Sequence, residues 1–543
     1  MYRNDSCRQK CLAGIIAALF TLTSGCQKPL HKPETQKELV TDADLGTTIG
    51  SLVEAFFPEY IPVKGYGVVA GLPGTGSVEC PPEIRAYLEQ YILKELPDRK
   101  MDINAFIDSY DTAVVVVEAM MPTTASKNDT FDIVVTALAG TQTTSLENGW
   151  LYGVELKVAG GLSTTMRVLA VAAGPVFIDK IGRQTNKKTG YILAGGTVLS
   201  EFKVNLAIRQ PDYQTASFVS NRLNEKFGRD TAKAVSASQI VLEVPARYQR
   251  YRKRFVAVAA ATYLNESPQI TQTRINNFVR RLAVAEEKYH SEIVLEAIGN
   301  ACLGKLSALL NSSNEEVRLR AGRCALNMGS FDGLKVLRQM AFDTNSAYRL
   351  EAIEAITAGA ARNDAAAIVR RLLRDEDFDI RIAAYEQLRK LDDITVSGDL
   401  IADSFYIEQI VQTPHKGIYV SRSSQPRIVL FGAPIYCRDG IFVQSADGNI
   451  TINAAAGTEY VSIIRKHPTR PQVIIELKSS FDLADIVRTL CREPMKQTDR
   501  GRAGLNVSYS DTIELLMQLS EKAAVAAEFR AGPLPKIGPI VKK

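Results

Sequence analysis

Several runs between residues 47 and 245 are rich in valine and other apolar residues and are short, a pattern that is typical of β-strands. Glycine- and threonine-rich turns separate these runs. Two stretches, residues 84–96 and 215–227, instead place apolar residues along one helical face. The region therefore predicts an α+β arrangement of mixed sheets and helices. The predicted strands lie at residues 112–121, 130–138, 151–158 and 167–173.

The pattern changes after residue 264, and residues 277–393 form an alanine- and leucine-rich stretch without strand signals. A unit of about thirty residues recurs there, which is the length of a helical hairpin. Small alanines in register allow paired helices to approach closely, and we expect each aligned arginine to reach the preceding turn, near Glu315, Asn345 and Asp379. The aligned pairs are Arg318 with Ala321, Arg349 with Ala352, and Arg381 with Ala384.

These repeats resemble HEAT-type repeats, whose stacked helices offer an extended surface to another protein. An ordinary helical bundle with accidental self-similarity is the alternative. Strand character returns over residues 400–531, with short strands at 427–431, 440–444 and 448–453. Closing helices are predicted at residues 480–491 and 510–523. The proline- and lysine-rich residues 532–543 predict a loose tail.

The N-terminus predicts export. Basic residues precede an apolar run at residues 12–22, and small residues lead to Cys26. This order is typical of a secretory signal, and the run is too short for a spanning helix of about 20 residues. We expect residues 1–25 to be a lipoprotein signal peptide, Cys26 to carry the lipid and residues 26–46 to form a flexible tether. Because Thr23 stands where leucine is usual, cleavage without lipidation is the alternative.

Composition adds few constraints. The chain has 543 residues, 46 % of them hydrophobic and 23 % charged, which is the range of globular proteins. Its length favours roughly two to four domains, and a net charge of +5 does not call for nucleic acid. An odd number of cysteines follows Cys26, so at least one stays free. They are Cys80, Cys302, Cys324, Cys437 and Cys491.

A glycine-rich segment at residues 63–76 is the most distinctive motif. It lacks the Lys-Ser/Thr end of a phosphate-binding loop and the spacing of a dinucleotide fingerprint. Taken alone, it predicts a tight strand-to-loop turn whose glycines adopt angles closed to other residues. Its characteristic residues are Gly65, Tyr66, Gly67, Gly71, Gly74 and Gly76.

This segment resembles the signature of the flagellar basal-body P-ring protein family, in which a Gly-Tyr-Gly group leads through two valines to Gly-Leu-x-Gly-Thr-Gly. Collinear segments at residues 131–138, 195–198, 209–216 and 240–245 extend the resemblance. Residues 448–452 and 511–526 look like the C-terminal end of the family. The resemblance implies a P-ring-like α+β region at residues 47–264 that continues at 400–531, with the HEAT-like solenoid inserted between them.

The resemblance also implies a periplasmic structural subunit that assembles with itself into a ring around the flagellar rod, in contact with the peptidoglycan. An outer-membrane lipid anchor and an inserted solenoid depart from the family. The alternative function is a lipid-anchored cell-envelope adaptor that uses the HEAT-like surface outside motility. A third hypothesis, a cell-wall enzyme, would need a pocket of titratable groups that the sequence does not reveal.

Chemical motifs do not favour catalysis. The four histidines, at residues 31, 290, 415 and 467, are far apart and lack metal-ligand spacing. The sequence has no G-x-S-x-G elbow. We therefore predict no enzyme activity, no cofactor and no metal.

A basic run at residues 247–254 interleaves arginines with two tyrosines. Export argues against nucleic acid, and arginine and tyrosine are enriched at protein interfaces. A contact with another subunit or with the anionic cell wall is one interpretation, and a solvated linker is the other. The interface candidates are Arg247, Tyr248, Arg250, Tyr251, Arg252 and Arg254.

Overall fold

A computed structural model describes residues 45–95, 102–158, 166–181, 185–467, 470–494 and 504–535. The first part of the described chain mixes strands with short and long helices. They are α1 (Ile49–Leu52), β1 (Val53–Phe56), β2 (Tyr60–Ala70), α2 (Pro82–Glu95), α3 (Ile103–Ile107), β3 (Thr112–Pro122), β4 (Thr130–Ala137), β5 (Trp150–Val158), β6 (Val168–Pro175), β7 (Thr189–Val198), β8 (Val204–Ile208), α4 (Tyr213–Phe227), β9 (Ala232–Ala234), β10 (Gln239–Leu242) and α5 (Arg252–Ala260).

Six of these strands form a closed antiparallel sheet in the order β2-β3-β4-β7-β6-β5. Alternate residues point to its interior, where Val115 and Val117 of β3 meet Ile133 and Val135 of β4. On the outside, α2 and α3 cover β2 and β3 through a smaller apolar cluster around Leu88. The strands predicted at residues 112–121 and 130–138 are thus confirmed to within one residue at each end.

A second sheet has the order β1-β8-β10-β9 and its own apolar core. Its strand β1 precedes the strands of the closed sheet in the sequence, and the other three follow them. Helix α4 begins where Asp212 accepts a hydrogen bond from the Thr215 backbone N–H at 2.7 Å, which satisfies one of the donors a helix leaves free at its start. Phe255 of α5 is fully buried in this core. The last helix of this part therefore starts inside the α+β scaffold and leads into the helical region.

Helices alone make up the middle of the chain, apart from short 3-10 turns. They are α6 (Pro268–Val284), α7 (Tyr289–Ile298), α8 (Leu303–Leu306), α9 (Glu315–Asn327), α10 (Phe331–Phe342), α11 (Arg349–Gly359), α12 (Arg362–Leu372) and α13 (Phe378–Lys390). Helices α9, α11 and α13 stack in one row, and α10 and α12 pack between them. Residue 277, where the repeats were expected to begin, lies inside α6.

The aligned alanines occupy equivalent places in this row. Ala321, Ala352 and Ala384 are all completely buried, as the need for close helix approach predicts. The expectation that each arginine reaches polar groups of the preceding turn is correct for Arg318, which reaches Glu315 at 3.2 Å, and for Arg381, which reaches two backbone carbonyls there. Arg349 does not reach Asn345, the partner expected for it.

Arg349 bonds the Ala341 carbonyl and Asp375 and not Asn345. Arg381 bonds the carbonyls of Asp375 and Glu376 and not Asp379. Arg318 and Arg381 share one geometry, because each donates to carbonyls six and five residues earlier.

The last part of the described chain returns to sheets. Its elements are β11 (Gly398–Ile401), β12 (Phe405–Ile410), β13 (Gly417–Val420), β14 (Arg427–Phe431), β15 (Ile441–Gln444), β16 (Ile450–Ala454), β17 (Val461–His467), β18 (Arg470–Ser479), α14 (Leu483–Cys491), α15 (Tyr509–Glu521) and β19 (Glu528–Ala531). One sheet has the order β11-β12-β14-β13-β19 and the other β15-β16-β17-β18.

Strand β14 explains how the parts fit together, because all five of its residues are buried. Ile428 and Leu430 face a core that includes Phe177 and Leu193 from the first part of the chain. Val429 and Phe431 face the core of the helical repeats. The five-stranded sheet therefore has one apolar face on the repeats and the other on a core that the closing helices α14 and α15, the four-stranded sheet β15-β16-β17-β18 and two residues of the first part share.

The predicted loose tail begins too early. The Gly532 backbone N–H donates to the Val420 carbonyl at 2.8 Å, and its own carbonyl accepts from Arg422 at 2.7 Å. Residues 536–543 lie outside the described residues, as does Cys26.

Candidate assembly surfaces

The glycines of the motif at residues 63–76 fall into two groups, one inside strand β2 and one in the loop that follows it. Gly65 and Gly67 are inside β2 and point into the closed sheet toward β5, where a methyl group at Gly67 would lie 2.3 Å from Val154. Only a residue without a side chain lets the two strands come this close. Tyr66, between the two glycines, faces outward and packs against the cluster beneath α2.

The loop after β2 uses the remaining glycines of the motif. Gly71 and Gly74 have φ of +79° and +72°, a region that side chains disfavour. Gly76 lies so close to Thr112 that a Cβ would be 1.9 Å from its carbonyl oxygen. The prediction of unusual backbone angles therefore holds for two of the five glycines, and close packing accounts for the other three.

The basic run lies at the junction between the α+β scaffold and the repeats. Arg254 is buried and donates to Glu296 at 2.8 Å and to Glu292 at 2.7 Å, both on α7. Tyr248 is also buried, and its hydroxyl donates to Glu296 at 3.2 Å. Neither predicted interpretation applies to these two residues, because they serve a contact inside the chain and not an external interface or a solvated linker.

Glu292 is the centre of this junction. Its fully buried carboxylate also accepts from Arg320 at 3.1 Å and from Arg323 at 2.6 and 2.7 Å, both on α9. Burial alone would raise the pKa of Glu292, but the Arg254 charge and the Arg323 hydrogen bonds outweigh it and hold the pKa below its ordinary value. The name ionic junction is used below for Arg254, Glu292, Glu296, Arg320 and Arg323.

The other basic residues are more exposed but also contact the chain. Arg250 donates to the Thr357 carbonyl at 3.1 Å and Tyr251 to the Glu354 carbonyl at 3.2 Å, both on α11. Arg252 donates to Ser126, before β4, at 2.9 Å. Arg247 stacks on the rings of Phe227 and Tyr248. Arg250 and Tyr251 therefore attach the helical region to the scaffold, as Tyr248 and Arg254 do, whereas Arg247 and Arg252 make their contacts within the scaffold.

The far end of the repeats has a different chemistry. Phe378 and Tyr385 of α13 make edge-to-face contacts with Phe431 of the five-stranded sheet, with centroids 5.4 and 5.9 Å apart. Buried Glu408 accepts from Tyr385 and Arg389. The name aromatic junction is used below for Phe378, Tyr385, Tyr419 and Phe431, which belong to one apolar cluster.

The aromatic junction and the two glutamates of the ionic junction were not predicted from the sequence. A usable signal existed for the second, since Glu292 and Glu296 are spaced by four residues on a helix whose other residues after Glu292 are all apolar. Charged residues on a buried helical face call for partners.

No chemical centre accompanies these surfaces within the described ranges. No group of three or more His, Cys, Asp or Glu residues there is arranged to hold a metal ion. Of the five described cysteines, all are free thiols and only Cys80 is partly exposed. Among the described residues, no single helix is long and apolar enough to cross a membrane. One pair of helical segments, Tyr289–Ile298 and Asn300–Asn311, reaches that length and apolarity only when taken together, and the two are bent by 111°.

The geometry defines a class of protein, a multi-part scaffold in which a helical-repeat block is built into an α+β body. Residues 58–277 match the family model of the flagellar P-ring protein. Residues 303–389 match that of HEAT repeats. The chain therefore contains a P-ring protein domain and a HEAT repeat block, which confirms both resemblances.

Curated relatives agree with the first match. The flagellar P-ring protein of Thermotoga maritima is 33 % identical over 200 residues, which are 34 % of this chain and 57 % of that protein. That of Thiobacillus denitrificans is 31 % identical over 201 residues, 33 % of this chain and 52 % of the relative. The flagellar P-ring protein of Geotalea uraniireducens is 28 % identical over 258 residues, which are 44 % of this chain and 66 % of that protein.

The chain spans about half to two thirds of the length of these relatives. The family match ends at residue 277. The resemblance of residues 448–452 and 511–526 to the C-terminal end of the family stays a prediction.

Proposed function

We propose that this chain is a structural subunit of the bacterial flagellar basal body, which assembles with further copies of itself into a P-ring-like periplasmic ring around the rod. The match of residues 58–277 to the flagellar P-ring protein carries the proposal. The glycines that this resemblance rests on are used for backbone packing, which suits a part whose job is shape. The proposal includes no catalytic step, cofactor or metal.

The proposed location follows from the sequence. The basic, apolar and small residues before Cys26 support export and lipid attachment at that cysteine. Anchoring in the outer membrane and contact with peptidoglycan belong to the same proposal. A lipid on Cys26 would hold the ring subunit at a bilayer by its acyl chains.

A second candidate function, a lipid-anchored envelope adaptor outside motility, is favoured by the HEAT block. Both ends of the block are fixed, one by the ionic junction and the other by the aromatic junction. Such a block presents a stable surface to a partner protein. The basal-body role remains the leading proposal because the P-ring match covers more of the chain than the HEAT match does.

Electron microscopy of the tagged full-length chain, purified from detergent-extracted membranes, tests the leading proposal. We expect closed rings, and gold label against the tag on isolated basal bodies. A chain that stays monomeric at high concentration and on membranes, with unlabelled basal bodies, contradicts it. A strain that lacks the chain but swims normally supports the adaptor.

A Cys26→Ala variant tests the anchor separately. The substitution should abolish labelling of the chain by a clickable fatty acid. The fold of the chain should stay unchanged. Persistent lipid labelling of the variant would move the anchor to another residue. Deleting the repeats is a poor discriminator between ring and adaptor, because buried Arg254 would lose Glu292 and Glu296 together.

A further inference from the structure

A cavity of about 520 Å³ opens where the repeats meet the five-stranded sheet. It lies at the ends of α10 and α12 and beside the segments that follow α13 and β12. The residues around it are Phe342, Arg370, Arg371, Arg374, Thr395 and Gln412. Three arginines at one cavity are a concentration of positive charge that neither junction uses.

One of the three arginines is already neutralised. Arg370 donates from Nε to both oxygens of Asp393, at 3.0 and 3.1 Å, and from Nη2 at 2.7 Å. The Thr395 hydroxyl donates to the same carboxylate at 2.6 Å. Arg370 therefore forms part of the wall of the cavity and is not available to a ligand.

The other two arginines have no ion-pair partner in the described part of the chain. The Arg371 guanidinium lies 5.1 Å from the centre of the Phe342 ring. Arg374 uses Nε to donate to the Gln412 backbone carbonyl at 2.9 Å. Each is thus held in position by one contact while its remaining N–H groups stay open, an arrangement that suits bidentate binding of a carboxylate.

An acceptor without a donor is present at the same cavity. The Gln412 Oε1 atom is buried and has no hydrogen-bond partner among the described residues. A buried polar atom left unpaired loses the hydrogen bonds that water would give it, so a ligand with an N–H group would gain by pairing with it. An inorganic anion has no such donor.

Two exposed aliphatic side chains stand next to the cavity in sequence. Ile394 precedes Thr395 and is 87 % exposed, and Val411 precedes Gln412 and is 62 % exposed. Exposed apolar residues beside arginines are typical of protein contacts. Two separate aliphatic residues are too small an area to insert into a lipid surface.

We propose that this cavity binds an acidic peptide segment of a partner protein, with carboxylates on Arg371 and Arg374, a backbone N–H on Gln412 Oε1 and an apolar side chain against Ile394 and Val411. The site is composite, since the HEAT block supplies the cations and the sheet supplies Gln412. It goes beyond the proposed ring function, because a monomeric chain would bind the peptide equally well.

Fluorescence anisotropy of a labelled synthetic peptide of Glu-Glu-Leu-Phe repeats, titrated with the purified full chain, tests the proposal. The Arg371→Ala/Arg374→Ala variant should bind roughly 100-fold more weakly, about tenfold for each charge-assisted contact. An Arg229→Ala/Lys233→Ala variant removes two exposed cations from the scaffold and should bind like the native chain. Circular dichroism checks that both variants fold.

The remaining arms identify the ligand. A Lys-Lys-Leu-Phe peptide should not bind, and neither inorganic phosphate nor phosphatidylglycerol vesicles should displace the acidic peptide. Gln412→Leu should weaken the binding of the acidic peptide by a few-fold, since it removes the acceptor for the backbone N–H of the peptide. Three results would overturn the proposal. They are no binding of the acidic peptide, equal binding by the double arginine variant and the native chain, and displacement of the peptide by phosphate or vesicles.

Discussion

The two ends of the HEAT block are attached by opposite means. The ionic junction gathers three arginines around two buried glutamates, whereas the aromatic junction interlocks rings and encloses one glutamate. Buried charges lose hydration, so their mutual attraction contributes little net stability, while a missing partner is very costly. The first end therefore fixes orientation, and the second contributes stability through apolar burial.

This difference matters because the repeats are attached to the α+β scaffold at one end and to the five-stranded sheet at the other. Hydrogen-bonded charges have few acceptable arrangements, so the ionic junction restricts the angle at which the helical region packs on the scaffold. Apolar faces tolerate small shifts and volume-conserving exchanges. The following changes should separate the two kinds of attachment.

Glu292→Ala should have the largest effect. It leaves Arg254 buried with one partner fewer and takes the shared carboxylate from Arg320 and Arg323, which should lower the free energy of unfolding by about 3–5 kcal/mol. Urea unfolding followed by circular dichroism measures it. Glu286→Ala, at an exposed position before the same helix, is the control and should cost little. A loss below about 1 kcal/mol at Glu292 would contradict an ionic junction.

Phe431→Leu should cost less, about 1–2 kcal/mol, because leucine keeps most of the buried apolar volume but loses the ring contacts with Phe378 and Tyr385. The same urea experiment measures the loss. Phe331→Leu, where the ring is 75 % exposed, should be near neutral. Equal costs at the two positions would argue against aromatic packing as the attachment.

Acid should weaken the ionic junction in a predictable direction. Because the folded pKa of Glu292 is depressed, its stabilisation is present above its unfolded pKa and is lost as pH falls through the folded value. One carboxylate changes stability by at most about 1.4 kcal/mol per pH unit. The stability gap between the native chain and Glu292→Gln should therefore narrow from pH 6 to about pH 3.5. A constant gap would mean that Glu292 does not titrate differently on folding.

Tyr251→Phe should be the mildest change. It removes one exposed hydrogen bond to the Glu354 carbonyl, worth about 0.5–1.5 kcal/mol at most. Hydrogen exchange of α11 should accelerate slightly while α13 remains as protected as before. Faster exchange at α13 would show that the two junctions are coupled.

Local patterns accounted for much of the fold. The valine-rich run of β3 and the alanine register of the repeats can both be seen in the sequence itself, and both predictions were confirmed. The glycine motif was harder, because close packing against Val154 depends on how β2 and β5 meet in the closed sheet.

Long-range contacts could not be derived in the same way. The basic run at residues 247–254 has the composition of an exposed basic surface. Its contact with α7, through Arg254, cannot be seen in the sequence. Strand β19 has four residues behind a closing helix, and its partner β13 is far away in sequence. The cavity at Arg371 exists only because α12 and the segment after β12 meet.

The parallel pairing of β13 with β19 has a consequence for the order of folding. The repeats close through neighbouring helices and gain their contacts early, since only short loops must be ordered. The sheet that receives them is completed only after Gly417 has found Glu528 across a long intervening segment. Until then the edge of β13 that β19 later occupies is open, and an open strand edge can pair with a strand of another chain.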